Sequence, residues 1–528
     1  MMKRTALYAL CVALTLFAAC SKADKEQLAG LEKDKASLEA NTSGLPDAAV
    51  PGDSRPFTIS FDKEFYGVDA SCSVSLHYTL SRPATLETVA SGSWTVSISP
   101  SSRTEGEIMV SVPEVAASEN VLVKATDDTG NVTSARLPLM LRRPYVAGGS
   151  PALDAMAYNG FPDRLATEEN FQKLVEAGIT MISVEGEDQV YGPGWRDQCR
   201  KAEAAGIKVV LFMGYSWQRY LEDPNSKLLE NLINEAKSYP AICAYQIIDE
   251  PSAVRVNELK RVKDKIRELD PTRPVYINLH PSSVSQAGMG AATYEQYVET
   301  FATVCNLEFI TFDQYPVFTW GVEDSWYKSL DVVSSIARSH GIPFWAFLLC
   351  CREQQRAVPT LENIRLQGNI DIAYGAQCIQ YFVWKNTTGT DYAPLMDNGE
   401  YKPVYYDCKE YNREMHNREF VFAGSDVWKI RHVGLGSYRH GIYLSPADYP
   451  EAISDIAIDG DALVSFVANN GSEYVAVCNK TWQEKLPVNI TFAKSVFTID
   501  REGAFAEHLP GAEPFVIDEG DMLVIKWK

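Results

Sequence analysis

Asp249, Glu250 and Pro251 follow directly on the apolar run ICAYQII (242–248), so two adjacent carboxyls stand at the end of a strand-like segment. Such a pair can give and take protons, provided a second carboxyl or a water meets it across a cleft. The ends of other apolar runs carry related residues: Glu185, Trp217, Asn278, His280, Asp313, Tyr315, Glu353, and the triplet Trp384, Lys385, Asn386. Carboxyls, amides and flat rings gathered on one rim are the groups that cleavage of a glycosidic bond requires. Trp345 and Trp384 are candidates for a ring-stacking floor, and Trp217 for substrate binding. A core role is as good a reading for any single Trp, because aromatics dominate interiors. His280 and Asn278 suit hydroxyl binding or a satisfied structural role equally. No metal-ligand set and no phosphate loop accompanies these residues, so no cofactor or metal is expected.

The elements that must hold this rim are legible. Between residues 150 and 415, apolar runs and helical patterns alternate eight times. The runs are 152–158, 179–184, 207–213, 242–248, 274–279, 307–312, 342–349 and 376–384. Gly178, Gly206 and Gly341 stand just before the next run, where a helix hands over to a strand. Eight such units in one stretch predict an α/β fold, a (β/α)8 TIM barrel, whose functional residues lie at the C-terminal ends of the strands. Asp-Glu-Pro also fits a helix start, with a capping Asp and an early Pro. Its place at the end of the fourth run favours the catalytic reading.

That fourth run with its Asp249-Glu250-Pro251 resembles the clan A glycoside hydrolases, whose acid/base glutamate closes strand 4 within Asn-Glu-Pro. The segment LEFITFDQYP (307–316) is similar to strand 6 of the same enzymes. The resemblance covers the barrel and implies a glycosidase with Glu250 as proton donor, retention of anomeric configuration, and Tyr315 near the second carboxylate. Asp249 replaces the clan's Asn, the residue that touches the sugar 2-hydroxyl. Strand 7 (IPFWAFLLCC, 342–351) lacks the clan's nucleophilic glutamate. Asp313, Glu353 and Glu185 remain open for the second carboxyl.

The flanks say where such a barrel would work. Lys3 and Arg4 precede an apolar stretch that is too short to span a bilayer and ends in LFAAC, at Cys20. This resembles a bacterial lipoprotein signal, which implies export, acylation at Cys20 and a membrane partner through the lipid, at the outer membrane or cell surface. Residues 21–55 read as a helical stalk and linker. Residues 56–143 read as short alternating strands of an immunoglobulin-like β-sandwich. The barrel takes 144–418, and 419–528 returns to strands of a C-terminal β-sandwich. Stalk plus sandwich resembles the spacers of glycan-degrading surface lipoproteins of Bacteroidota.

A net charge of −20 argues against a nucleic-acid partner, and against a strongly anionic substrate unless the site carries its own cation. Of the eleven cysteines two lie in the signal; the other nine show neither disulfide nor zinc spacing and read as buried thiols. Two functions follow. One is a surface-anchored glycoside hydrolase acting on a poly- or oligosaccharide. The other is a non-catalytic glycan-binding lipoprotein on a degenerate barrel, which the missing strand-7 glutamate favours and the intact Asp-Glu-Pro opposes.

Overall fold

The computed structural model describes residues 152–185, 194–434 and 441–528 throughout, and seven strands between residues 37 and 139. Cys20 and the signal lie outside the described residues. The chain divides into two units, Met1–Leu141 and Arg142–Lys528. In the first, Thr88–Ile98, Cys72–Ser81, Glu119–Asp127 and Val132–Leu139 pair antiparallel in that order. Ser37–Glu39, Ser54–Phe61 and Thr104–Ser111 form a second antiparallel sheet. Ser37–Glu39 belongs to the segment expected to be helical. A short isolated helix is marginal, and pairing with a neighbouring strand competes with it.

In the second unit all eight expected barrel strands form. They are β1 (Asp154–Ala157), β2 (Met181–Glu185), β3 (Lys208–Phe212), β4 (Ile242–Asp249), β5 (Val275–Leu279), β6 (Ile310–Phe312), β7 (Phe344–Leu349) and β8 (Cys378–Phe382). Each pairs in parallel with its neighbour, and β8 closes on β1. Gly206 and Gly341 end their helices in the left-handed conformation, which a Cβ would strain.

The barrel is filled in two tiers. Met156, Met181, Val210, Ala244, Tyr276, Phe309 and Trp345 make an apolar lower plug. Above it lie Gln246, Asn278, Thr311 and Gln380, all buried. The polar tier survives burial because its members satisfy one another. Tyr276 donates to Gln380 Oε1 at 2.8 Å, and Gln380 Nε2 to Thr311 Oγ1 at 2.8 Å. Thr311 donates in turn to Asn278 Oδ1 at 3.1 Å.

The C-terminal strands form two sheets, of six and three strands. Val464, Phe466, Val475 and Val477 of the larger pack on Ile456, Val488 and Ile490 of the smaller, as in the expected sandwich. The opposite face of the larger sheet (Leu463, Val467, Ala476, Val524) joins the core that the barrel strands share with their helices. Helix Leu361–Ala373 is caught between and is buried all round from Asn363 onward. The eight cysteines among the described residues are free and buried.

Candidate active site

β4 ends on an irregularity. Its register against β5 shifts between Gln246 and Ile248, after which Asp249 pairs with Asn278. An extra residue in a strand re-aims the side chains beyond it. Strict alternation from the inward Gln246 would send Asp249 outward, whereas Asp249 lines the pocket at the mouth of the barrel. Glu250 follows with φ of 46°, a left-handed conformation that costs a non-glycine residue roughly 1–2 kcal/mol. Its N–H donates to Asn278 O at 2.9 Å and anchors the turn. Helix Val256–Leu269 begins only after a further 3-10 turn at Ala253–Arg255, so neither Asp249 nor Pro251 starts it.

The pocket has a volume of about 350 Å3, within the range of small-molecule sites. Asp249, Glu250, Asn278, Asp313 and Tyr315 line it, and Glu353 reaches it from the loop after β7. Asn278 Nδ2 donates to Asp249 Oδ1 at 2.9 Å and to Asp313 Oδ1 at 3.0 Å, so one amide ties two carboxyls together. Since Thr311 occupies its Oδ1, the amide is held with its donors toward them. Burial pushes the Asp313 carboxyl well above the usual range; Glu250 and Asp249 push it further by repulsion, and the Asn278 hydrogen bond only partly opposes them. Asp249 is raised for the same reason, burial first. Glu250 stands nearer the solvent, its Oε1 3.3 Å from His280 Nδ1. The Tyr297 hydroxyl holds that loop, accepting from His280 N at 3.2 Å and donating to Pro251 O at 2.8 Å.

The remaining candidates separate from the pocket. Glu185 ends β2 on the exposed rim and does not line it, though its charge is felt by Tyr158. None of the three tryptophans lines the pocket either. Trp217 is in the core, with Arg255 over its ring at 5.4 Å. Trp345, second residue of β7, stacks on Phe309 at 4.1 Å in the lower plug. Trp384 lies beyond β8 between Tyr381 and Tyr405. All three are at most 2% exposed, so the stacking role expected of them has no open ring face to act through.

The aromatic lining comes instead from Tyr158, Tyr315, Phe347 and Phe382, with Tyr315 stacked on Phe382 at 5.0 Å. Tyr158 and Phe382 sit at the ends of β1 and β8, so the strand-end rule that picked out Asp313 also reaches them. Glu323, Gln354 and Arg356 line the pocket from loops, where the sequence carried no such signal.

The eight-stranded parallel barrel fold is shared with solved carbohydrate-active enzymes. A cycloisomaltooligosaccharide glucanotransferase from Paenibacillus sp. matches with a TM-score of 0.57 at 8% identity, covering 93% of this chain and 99% of that one. A GH42 β-galactosidase from G. stearothermophilus matches with a TM-score of 0.50 at 11% identity, covering 73% and 99%. At these identities the likeness is one of fold. No protein-family model and no curated protein sequence matches the chain.

Proposed function

We propose that the protein is a glycoside hydrolase in which Glu250 is the acid/base and Asp313 the second catalytic carboxylate. The observation that carries this is the meeting of both carboxyls in one pocket at the strand ends, with Glu250 the strongest charge acting on Asp313. Glu250, at the open side, donates its proton to the leaving glycosidic oxygen. Asp313 meets the anomeric centre or activates water there, Asn278 positions it, and Tyr315 and Phe382 orient the sugar. Retention of configuration is the default from the clan A resemblance. Glu353, which lines the pocket from the segment after β7, is the alternative partner.

One observation favours exchanged roles. Asp313 is the carboxyl whose pKa burial and repulsion raise, and a raised pKa is the usual mark of the acid in such a pair.

Glu250→Gln tests both versions. With Glu250 as the acid, the loss is about 10²–10⁴-fold for glycosides with poor leaving groups and far smaller for activated aryl glycosides. Equal loss for both kinds points to the exchanged roles, and no loss ends the hydrolase reading. Proton NMR of the first-formed anomer should show retained configuration.

The signal-like segment before Cys20 supports a further reading, that the protein works outside the cytoplasm with Cys20 acylated. Cys20→Ser should shift the protein from the membrane fraction to a soluble or unprocessed form; unchanged fractionation and processing counts against the anchor.

A further inference from the structure

The pocket wall between β6 and β7 is made by two loops that pair. Val317–Phe318 and Gly321–Val322 form a hairpin, and the loop after β7 lies along it. Thr319 N donates to Gln355 O at 3.3 Å and Ala357 N to Val317 O at 3.1 Å, while Phe318 and Arg356 form a β-bridge. The guanidinium of Arg356 lies over the Phe318 ring, 4.0 Å from its centroid, and Phe318 is backed by Trp320 at 4.9 Å. Arg356 is thus held flat on the wall by one face. It is the single cation lining the pocket among the described residues.

Its charge is not matched at contact. Arg356 forms no ion pair among the described residues, and its Nη1 is buried without a hydrogen-bond partner. Glu353 and Glu323 act on it only from longer range. A buried charged donor with no acceptor is costly, and the cost is removed when a ligand brings one. The guanidinium offers parallel N–H donors, a fork that a planar or tetrahedral oxyanion fills with two bonds and a lone hydroxyl with only one. The lining otherwise carries only carboxyls, Asp249, Glu250 and Asp313 at the strand ends and Glu323 and Glu353 on the two loops themselves, so Arg356 is the one point in it that attracts an anionic group. That asymmetry would fix which way round the sugar enters.

Building on the glycosidase reading, we propose that Arg356 receives an anionic substituent of the sugar, a uronic-acid carboxylate or a sulfate ester, and that the substrate is therefore an acidic glycan. The acidic chain, which by itself disfavours an anionic substrate, carries the required cation inside the pocket.

The test uses 4-nitrophenyl glycosides in both anomeric forms, in sets that differ only at C6: glucuronide, glucoside and 6-sulfated glucoside, and the galacto equivalents. The full chain should prefer an acidic member of one set; whether carboxylate or sulfate wins separates the two sources. Arg356→Ala should lower kcat/KM for that acidic member on the order of 10²-fold more than for its neutral counterpart. Arg356→Lys, which keeps charge and loses the fork, should restore only part of the preference. Cleavage of the neutral members alone, or equal loss on acidic and neutral ones, overturns the proposal and leaves the hydrolase reading standing. If nothing is cleaved, calorimetric titration with glucuronate- and galacturonate-containing oligosaccharides decides. Binding that Arg356→Ala abolishes keeps the Arg356 assignment and defeats the hydrolase; no binding overturns both.

Discussion

Around helix Leu361–Ala373, at the seam where it lies between the barrel and the C-terminal sheet, several buried polar groups are closely paired. Arg365 Nε donates to Glu414 Oε2 at 2.9 Å and its Nη2 to the other oxygen; Glu414 is fully buried. Asn369 donates to Gly520 O at 3.0 Å, Gln367 accepts from Leu349 N at 2.9 Å, and Ser465 donates to Ala373 O at 2.6 Å. At the mouth of β4–β6 the balance differs, with Asp249, Glu250 and Asp313 crowded around the two donors of one amide. The seam spends its polar groups on holding the chain together. The mouth leaves like charges facing one another, which weakens the fold and leaves protons available for transfer. Asp371 blurs the division: it is a seam carboxyl, fully buried, and burial lifts its pKa well above the usual range, with only the Trp326 side chain opposing it.

Breaking the seam should give the largest effect. Glu414→Gln leaves the Arg365 guanidinium buried against a neutral partner and should destabilise the fold by about 3–5 kcal/mol, read by denaturant titration. Activity per folded molecule should not change, and a loss there would mean that the seam reaches the site.

Asp313→Asn and Asp371→Asn sharpen the comparison. Both carboxyls have folded-state pKa values raised above the ordinary 3.8, so the folded chain binds more protons than the unfolded one. Stability attached to each group is then complete below that ordinary value and is lost as pH rises toward the folded pKa. Either amide removes that loss, so both variants should melt higher than the parent at pH 7 and show no such gain near pH 3. Only Asp313→Asn should abolish cleavage. Equal losses of activity would put Asp371 in the mechanism, and a destabilised Asp313→Asn would mean that repulsion at the mouth is not the cost inferred here.

Thr311→Val is the mildest. It frees the Asn278 amide to turn and should cost about 1 kcal/mol of stability. Because the Asn278 hydrogen bond lowers the pKa of both aspartates, weakening it should move the pH–rate limb that belongs to Asp313 upward. An unmoved limb would show that the relay from Gln380 only fills space.

The eight strands were legible because each is a short apolar run bounded by helix signals and, in three cases, a glycine. The residues that close β4, β5 and β6 were legible for the same reason, since strand ends converge at one mouth whatever their sequence. The tryptophans were not. Trp345 points into the plug because it is the second residue of β7, a depth set by barrel stagger that the run itself does not show. Trp384 packs against Tyr405 because the chain turns outward after β8. Arg356 and Glu323 come to the pocket by loop–loop pairing, for which hydrophobic periodicity has no counterpart. The shift in β4 that turns Asp249 inward is likewise invisible in a run of seven residues that reads as an unbroken strand.

The all-round burial of helix Leu361–Ala373 bears on how such a protein can be cut and inherited. A turn of the C-terminal sheet presses on the helix so closely that a Cβ on Gly520 would lie 2.1 Å from Glu362 O. Residue 419, the boundary read from the sequence, opens a short helix, Glu419–Phe422, ahead of the first C-terminal strand at Asp426–Val433, and is not a seam for recombination. A gene fragment ending there would encode a barrel with one flank stripped to its apolar core, so the barrel and its C-terminal sheet must travel as one cassette.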